Sequence, residues 1–308
     1  MSERLLVIKL SALGDFVQAF APFQAIRKNH PKAHITLLTT TPYEELAEAS
    51  GWFDDVHIDH RPKLYNLPAI SNLRRFLRAG KYSRVYDLQT SNRSSMYRRL
   101  MWPQNPEWSG IAVGCSHPHS NPDRDKLHTI DRQCEQLHLA GIRKVPPADV
   151  SWLKSHAYPF SPKDRFVLLI PGGAPHRPDK RWPSDHYAAL ANLLVDNGFT
   201  PLVIGTKTEA AEAELIQKAC PKAQSLIAKT SIFDLAALCF KATAAVGNDT
   251  GPMHLAAVTG CPSLVLYSKA SDPALCGQRG KYVDILRNES LDSLSVETVW
   301  QHITKLIK

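Results

Sequence analysis

Short apolar runs that stop at a Gly- or Asp-bearing turn and pass straight into a helix-forming segment recur along this chain. Nothing else in it limits the possible folds as strongly. Leu5–Leu10 is one such run. Its turn is Ser11-Ala12-Leu13-Gly14-Asp15, after which Phe16, Ala19, Phe20, Phe23 and Ile26 fall at helical spacing. Ala242–Val246 is another, followed by Gly247-Asn248-Asp249-Thr250-Gly251 and the apolar segment Met253–Val258. Strands of this kind belong to parallel sheets, and ligands of open α/β sheets lie at the carboxyl ends of the strands, in such turns. Helix-starting N–H groups lack partners and face the positive end of the dipole, which suits a phosphate. Gly247 and Gly251 are expected to give close backbone approach or positive φ, and Asp249 and Thr250 to cap the helix.

The alternation continues on both sides. Strands are predicted at Leu5–Leu10, 34–39, 55–58, 84–88 and 110–113, with helices at 16–29, 43–49, 70–79, 94–101 and 130–140. A second series has strands at 166–170, 201–204, 223–227, 242–246 and 263–266, with helices at 184–197, 209–219 and 232–240. Strands alternating with helices of about ten residues predict parallel sheets built from right-handed crossover units. At 308 residues the chain exceeds the usual size of one core, so two domains are expected. The boundary is placed near 155–163, giving domains 1–158 and 159–308. The last helix, about 295–307, is expected to pack back on the first domain.

Composition narrows the classes. A hydrophobic fraction of 44% is ordinary for a globular protein, and no apolar run approaches the roughly 20 residues that span a bilayer. The first residues enter a strand without a signal-peptide pattern, so a cytoplasmic protein is expected. Six scattered cysteines without a C-x-x-C pair predict free thiols rather than disulfides or a zinc site. The net charge of +8 is uneven: ten basic residues lie between Arg61 and Arg99, against the single acid Asp87. This favours an anionic partner, although a solvated helix face would look the same. Nucleic acid is disfavoured, since the stretch lacks interleaved aromatic side chains for base stacking.

Three segments carry a resemblance. Ile8-Lys9-Leu10-Ser11-Ala12-Leu13-Gly14-Asp15, the central Pro175-His176-Arg177-Pro178-Asp179-Lys180-Arg181-Trp182-Pro183, and Gly247–Ala257 occur in order. Together they resemble the heptosyltransferases of lipopolysaccharide core synthesis, glycosyltransferase family 9, from Leu5 to about Tyr267. The resemblance implies a GT-B type α/β fold, with two Rossmann-like parallel-sheet domains facing a central cleft. It also implies an inverting, metal-independent transferase that moves heptose from ADP-heptose to an anionic inner-core or lipid A acceptor.

Inverting transfer needs a base for the acceptor hydroxyl and positive groups for the departing diphosphate. Asp15 matches the family's catalytic aspartate, although as a local feature it could equally cap its helix. Lys180 matches the lysine that contacts the donor phosphates. Asp249, Thr250 and Gly251 resemble the residues that hold the donor, with His254 one turn on and Gly173 in the Pro171-Gly172-Gly173-Ala174 loop. Glu209 is expected near the ribose and Thr230 near the base. Lys9, Ser11, Gly14, Gln89, Arg93, His128 and Arg132 are candidate acceptor contacts, each also compatible with a structural role. No metal site or cofactor beyond the donor substrate is expected; the one Asp-x-Asp triplet, Asp123-Arg124-Asp125, lies in a Pro- and Ser-rich loop. A monomer with peripheral contact to the inner membrane fits this reading. Another nucleotide-sugar donor, a sugar-nucleotide epimerase of the same fold, or a non-catalytic sugar-nucleotide or lipid-binding protein remain alternatives, because fold alone does not decide reaction.

Overall fold

Leu5, Leu6, Val7 and Ile8 are completely buried, as a strand covered on both faces requires. They form β1 (Arg4–Ile8), which with β2 (His34–Thr39), β3 (Asp55–Ile58), β4 (Arg84–Asp87), β5 (Glu107–Gly110) and β6 (His117–Pro118) builds one sheet. Its order is β3-β2-β1-β4-β5-β6, parallel at every pairing. The helices of this unit are α1 (Leu13–Val17), α2 (Phe20–Asn29), α3 (Glu44–Ala49), α4 (Leu67–Ala79), α5 (Asn92–Leu100) and α6 (Thr129–Leu139). The computed structural model describes residues 3–155, 165–174 and 176–307, and the chain divides into the units Met1–Asp149 and Val150–Lys308. The boundary expected at 158/159 lies outside the described residues.

The second unit repeats the plan. Its strands are β7 (Phe166–Ile170), β8 (Thr200–Val203), β9 (Gln224–Ser225), β10 (Ala244–Asn248), β11 (Ser263–Tyr267) and β12 (Val283–Arg287). They run parallel in the order β12-β11-β10-β7-β8-β9. Its helices are α7 (Ser184–Asp196), α8 (Ala210–Ala219), α9 (Ile232–Lys241), α10 (Gly251–Val258), α11 (Pro273–Cys276) and α12 (Val296–Leu306). Each unit thus has the doubly wound Rossmann strand order. Its switch point lies between β1 and β4 in the first unit and between β7 and β10 in the second.

The structure departs from the sequence pattern at several places. The helix expected over 16–29 is two, because Pro22 cannot bond to the carbonyl of Gln18 and its ring clashes there; the chain breaks at Gln18–Ala19. The strand expected at 110–113 is β5, three residues earlier. Trp108 is its fully buried anchor opposite Val85, whereas Val113 is 89% exposed. β6 and β12 are additional edge strands that the pattern did not announce. The sequence reading sends the last helix back to the first domain, but Val299 and Ile303 of α12 lie in the core of the second unit beside Trp182, Leu264 and Leu266.

Candidate active site

In the first unit, the chain leaving β1 meets the chain leaving β4 at the switch point. Asp87 closes β4, fully buried, and its Oδ1 accepts the N–H groups of Gln89 (3.1 Å) and Thr90 (2.9 Å). The turn so formed aims Gln89 at the β1 loop, where its Oε1 accepts from Leu10 N–H (2.8 Å) and Ser11 N–H (3.3 Å). Asp15 occupies the third position of α1, and its Oδ2 accepts from Ala12 N–H at 3.1 Å. The capping role read from the sequence is therefore real. One carboxylate oxygen serves it, and Asp15 also lines a cavity at the strand ends.

Lys9, Asp15, Gln89, Thr90, Arg124, Arg132, Gln133 and Gln136 line one polar cavity of about 80 Å³. Lys9 is buried there with its ammonium donating to Leu88 O at 3.2 Å. Burial lowers its pKa, assisted by Arg132 and opposed by Asp15 and Asp87. Burial likewise lowers that of Arg124, with Arg132 adding to the effect. Asp87 shifts the other way: burial pushes its carboxyl up to about 6, against bonds from Thr90 and Gln89. Three basic side chains thus line a cavity in which Asp15 is the acidic lining residue among the described ones, while Arg124 and Arg132 also pair with Asp125 at 2.8 and 3.7 Å. Basic side chains so placed beside a carboxylate are chemically suited to an anionic ligand. The Gln133 amide is buried without a partner among the described residues, so it is available to a polar ligand.

In the second unit the switch point is held by a residue the sequence reading passed over. Asn248 ends β10, completely buried, and uses both ends of its amide. Its Nδ2 donates to Pro171 O (2.8 Å) and Gly172 O (3.1 Å), and its Oδ1 accepts from Trp182 N–H (3.0 Å) and Tyr187 O–H (3.2 Å). The loop after β7 and the segment carrying Lys180 are thereby tied to one strand end. A polar residue closing an otherwise apolar strand was the available signal.

Lys180 and Asp249 meet at 2.6 Å, with side chains only 11% and 8% exposed. Asp249 Oδ1 also lies 2.9 Å from the Tyr267 hydroxyl and 3.4 Å from Gln278 Nε2. Burial raises the pKa of Asp249, but Lys180 and the hydroxyl donors outweigh it and hold the carboxyl below its usual range. Burial, joined by the neighbouring Asp249 charge, raises that of Tyr267, which stays protonated and donates. Thr250 precedes α10, yet its hydroxyl does not cap the helix; it is buried and unpartnered among the described residues. A helix N-terminus, a free hydroxyl and a lysine are groups of the kind that receive a phosphate, although Lys180 is here engaged by Asp249. Gly247 is required for space rather than for positive φ: a Cβ there would lie 2.8 Å from Met253 Sδ and 2.9 Å from Ile170 Cβ.

The remaining expected residues fall as follows. Gly173 accepts through its carbonyl from Arg181, which also pairs with Glu212; Arg181 therefore braces the loop. Glu209 packs under Gly172 and Gly205, and accepts from Thr206 and Thr208, as the cap of the turn before α8. His254 is buried on α10, and Thr230 lies half-buried in the turn before α9. Gly14 is buried within α1. His128 caps α6 through Nδ1, accepting from Ile130 N–H at 3.1 Å. Arg93 donates to Pro62 O at 3.2 Å and does not line the Asp15 cavity. Ser11 receives a short hydrogen bond from Arg61, so the 59–66 loop reaches the Asp15 turn. Arg124, Thr90, Gln133 and Gln136 were not legible as site residues, because they come from separate elements that only the sheet brings together. The Asp-x-Asp triplet is spent on ion pairs, Asp123 with Lys126, and Asp125 with Arg124 and with Arg132 of α6. Among the described residues no three His, Cys, Asp or Glu side chains are grouped for a metal.

Two Rossmann-like units, each with a polar cluster at its switch point, make an α/β fold of GT-B type. The model of "Glycosyltransferase family 9 (heptosyltransferase)" matches residues 70–298, and the chain belongs to that family and is a glycosyltransferase. It is 24% identical to lipopolysaccharide heptosyltransferase 2 of Escherichia coli over 87% of this chain and 83% of that protein. Identity to lipooligosaccharide heptosyltransferase 2 of Haemophilus influenzae is 36% over 113 residues, covering 35% of this chain and 33% of that protein. The solved structure of an E. coli heptosyltransferase with ADP superposes with a TM-score of 0.80 at 20% identity, covering 98% of this chain and 99% of that one.

Proposed function

We propose that this protein transfers heptose from ADP-heptose to an anionic lipopolysaccharide inner-core acceptor, with inversion and without a metal. The observation that carries the proposal is the buried Lys180–Asp249 pair beside the unpartnered Thr250 hydroxyl at the start of α10. A diphosphate brings the charge that Lys180 and the helix N-terminus accept, and Asp249 is left to orient the donor near its sugar. Thr250 and Gly251 supply further donors, the Gly173 loop closes on the phosphates, and Glu209 and Thr230 face the nucleoside. The likeness to a heptosyltransferase solved with ADP supports the choice of nucleotide.

On the acceptor side, Lys9, Arg124 and Arg132 hold an acidic group of the acceptor and so bring its hydroxyl to Asp15. Asp15 takes the hydroxyl proton as that oxygen bonds to the anomeric carbon. The bond from that carbon to the β-phosphate oxygen breaks on the opposite face, and ADP leaves with the electron pair. Lys180 and the helix dipole offset the developing charge, the role a divalent ion fills elsewhere. We place the enzyme in the cytoplasm as a monomer that meets its acceptor at the inner membrane.

The test is thermal stabilisation by ADP, UDP, GDP and CMP without metal, followed by turnover of ADP-heptose with a lipid A acceptor bearing inner-core sugar acid. ADP should stabilise most, and Asp15→Ala should lose about 10²-fold or more in turnover while keeping its ADP shift. Near-wild-type turnover in Asp15→Ala removes it as the base. A preference for UDP or GDP keeps the chemistry and replaces the donor.

A further inference from the structure

Helix α6 turns polar side chains inward. Its buried positions are Thr129, Gln133, Gln136 and Leu137, whereas Leu139 is 48% exposed. A core-facing stripe at this spacing is ordinarily apolar. Gln136 is explained by the fold, because its Nε2 donates to Asp87 O at 3.0 Å and to Ser109 O at 3.2 Å. Gln133, one turn earlier, is not. It is 4% exposed, and neither its Nε2 nor its Oε1 has a partner among the described residues. A buried amide in that condition destabilises the fold, since both of its ends give up water and gain no bond. Gln133 lines the cavity of Lys9, Asp15, Arg124 and Arg132, and the Nε of Arg124 is likewise buried and unpartnered.

The unused groups define their complement. Lys9, Arg124, Arg132 and Gln133 Nε2 offer protons and match the oxygens of an anion. Gln133 Oε1 only accepts, so it matches a hydroxyl on the same ligand. At about 80 Å³ the cavity is far below the roughly 300 Å³ of pockets that enclose a whole small molecule, so it takes one end of a larger one. We infer that Gln133 is a specificity-determining residue, which selects an acidic group with a hydroxyl beside it over an anion made of acceptor oxygens alone. A hydroxy acid is of the first kind. A phosphomonoester is of the second, because above its second pKa of about 6 it has no proton to give, and its oxygens would face Gln133 Oε1 unpaired. Turning the amide over exchanges its ends but supplies no donor to Oε1, since neither end has a partner. For turnover this inference rests on the acceptor reading above; the selection of the anion does not.

The experiment titrates wild type and Gln133→Met calorimetrically with glycolate, acetate and sulfate. Glycolate carries a carboxylate and the adjoining hydroxyl, acetate the carboxylate alone, and sulfate acceptor oxygens alone. Wild type should bind glycolate about ten-fold more tightly than the other two, and Gln133→Met should bring all three within about two-fold of one another. Methionine has a similar length without the polar atoms, so the variant should melt at or above the wild-type temperature. With the sugar-acid acceptor its KM should rise about ten-fold, while kcat and the KM for the donor stay nearly constant. Equal wild-type affinity for the three anions overturns the inference, as does a glycolate preference that Gln133→Met retains, or no binding by any of them. A melting temperature several degrees lower in Gln133→Met would also overturn it, by giving the amide a structural role. Glycolate selection that the variant loses, without turnover of any sugar-acid acceptor, would sink the acceptor reading and leave the selection standing.

Discussion

Replacing Lys180 by alanine strands a carboxylate. Asp249 is 8% exposed and would keep neutral donors alone, the Tyr267 hydroxyl at 2.9 Å, the Gln278 amide at 3.4 Å and the Ser271 hydroxyl. Losing a charge-assisted bond of 2.6 Å in that setting costs about 2–3 kcal/mol. For a unit of this size each kcal/mol moves Tm by roughly 2–4 °C, so a fall of roughly 4–12 °C is expected. The pH dependence gives a second signature. In the wild type the folded carboxyl lies below its ordinary value. Its contribution is therefore present above the unfolded pKa of about 3.9 and is lost as pH falls through the folded value. Without Lys180, burial acts unopposed by a cation, and the folded pKa rises. The variant then carries a penalty at neutral pH that is relieved as pH falls, so the Tm gap should narrow between about pH 7 and pH 4. Calorimetry of wild type, Lys180→Ala, Asp249→Asn and the double variant measures this as a coupling energy. If the single effects add within about 0.5 kcal/mol, the pair does not act as a unit and the reasoning fails.

Asp87 makes the opposite case. Its folded pKa of about 6 lies above the unfolded value, so the penalty of ionising it is complete above pH 7 and disappears as pH falls toward 4. Asp87→Asn keeps an oxygen for the Gln89 and Thr90 N–H groups and should be about 2–3 kcal/mol more stable than wild type at pH 8, with no advantage near pH 4. A Tm difference that does not change with pH would contradict this. Asn248→Ala removes four buried hydrogen bonds, and should destabilise the second unit by about 3–5 kcal/mol while weakening stabilisation by ADP. An ADP shift equal to that of wild type would show that Asn248 does not hold the donor loop in place.

Much of this architecture is local and was legible as such. Leu5–Ile8, Phe166–Ile170 and Leu264–Leu266 are apolar throughout because both faces of a parallel strand are covered, and that burial needs no knowledge of the partner strand. The Asp15 and Asp249 turns were legible because a strand, a small polar turn and a helix follow one another in the chain. Where local signals compete, position slipped: Ile111-Ala112-Val113 is the more apolar run, but Trp108 wins the core and moves the strand three residues back. Pro22 likewise overrules the helical spacing of Phe16 through Ile26, since its ring excludes the carbonyl of Gln18.

The sequence by itself determined two Rossmann-like halves, the polar turns that close their strands, and the chemical types placed there. It could not reveal which of those residues touch. Lys180 and Asp249 stand 69 positions apart, Gln89 and Leu10 79, and Asn248 and Pro171 77. Lys9, Arg124 and Arg132 come from the end of one strand, a loop and a distant helix, and only the strand order puts them around one cavity. The physical reason is that burial and turn formation are written in neighbours along the chain. Charge pairing and the shape of a pocket depend on the switch point, where strands from opposite ends of each unit lie side by side.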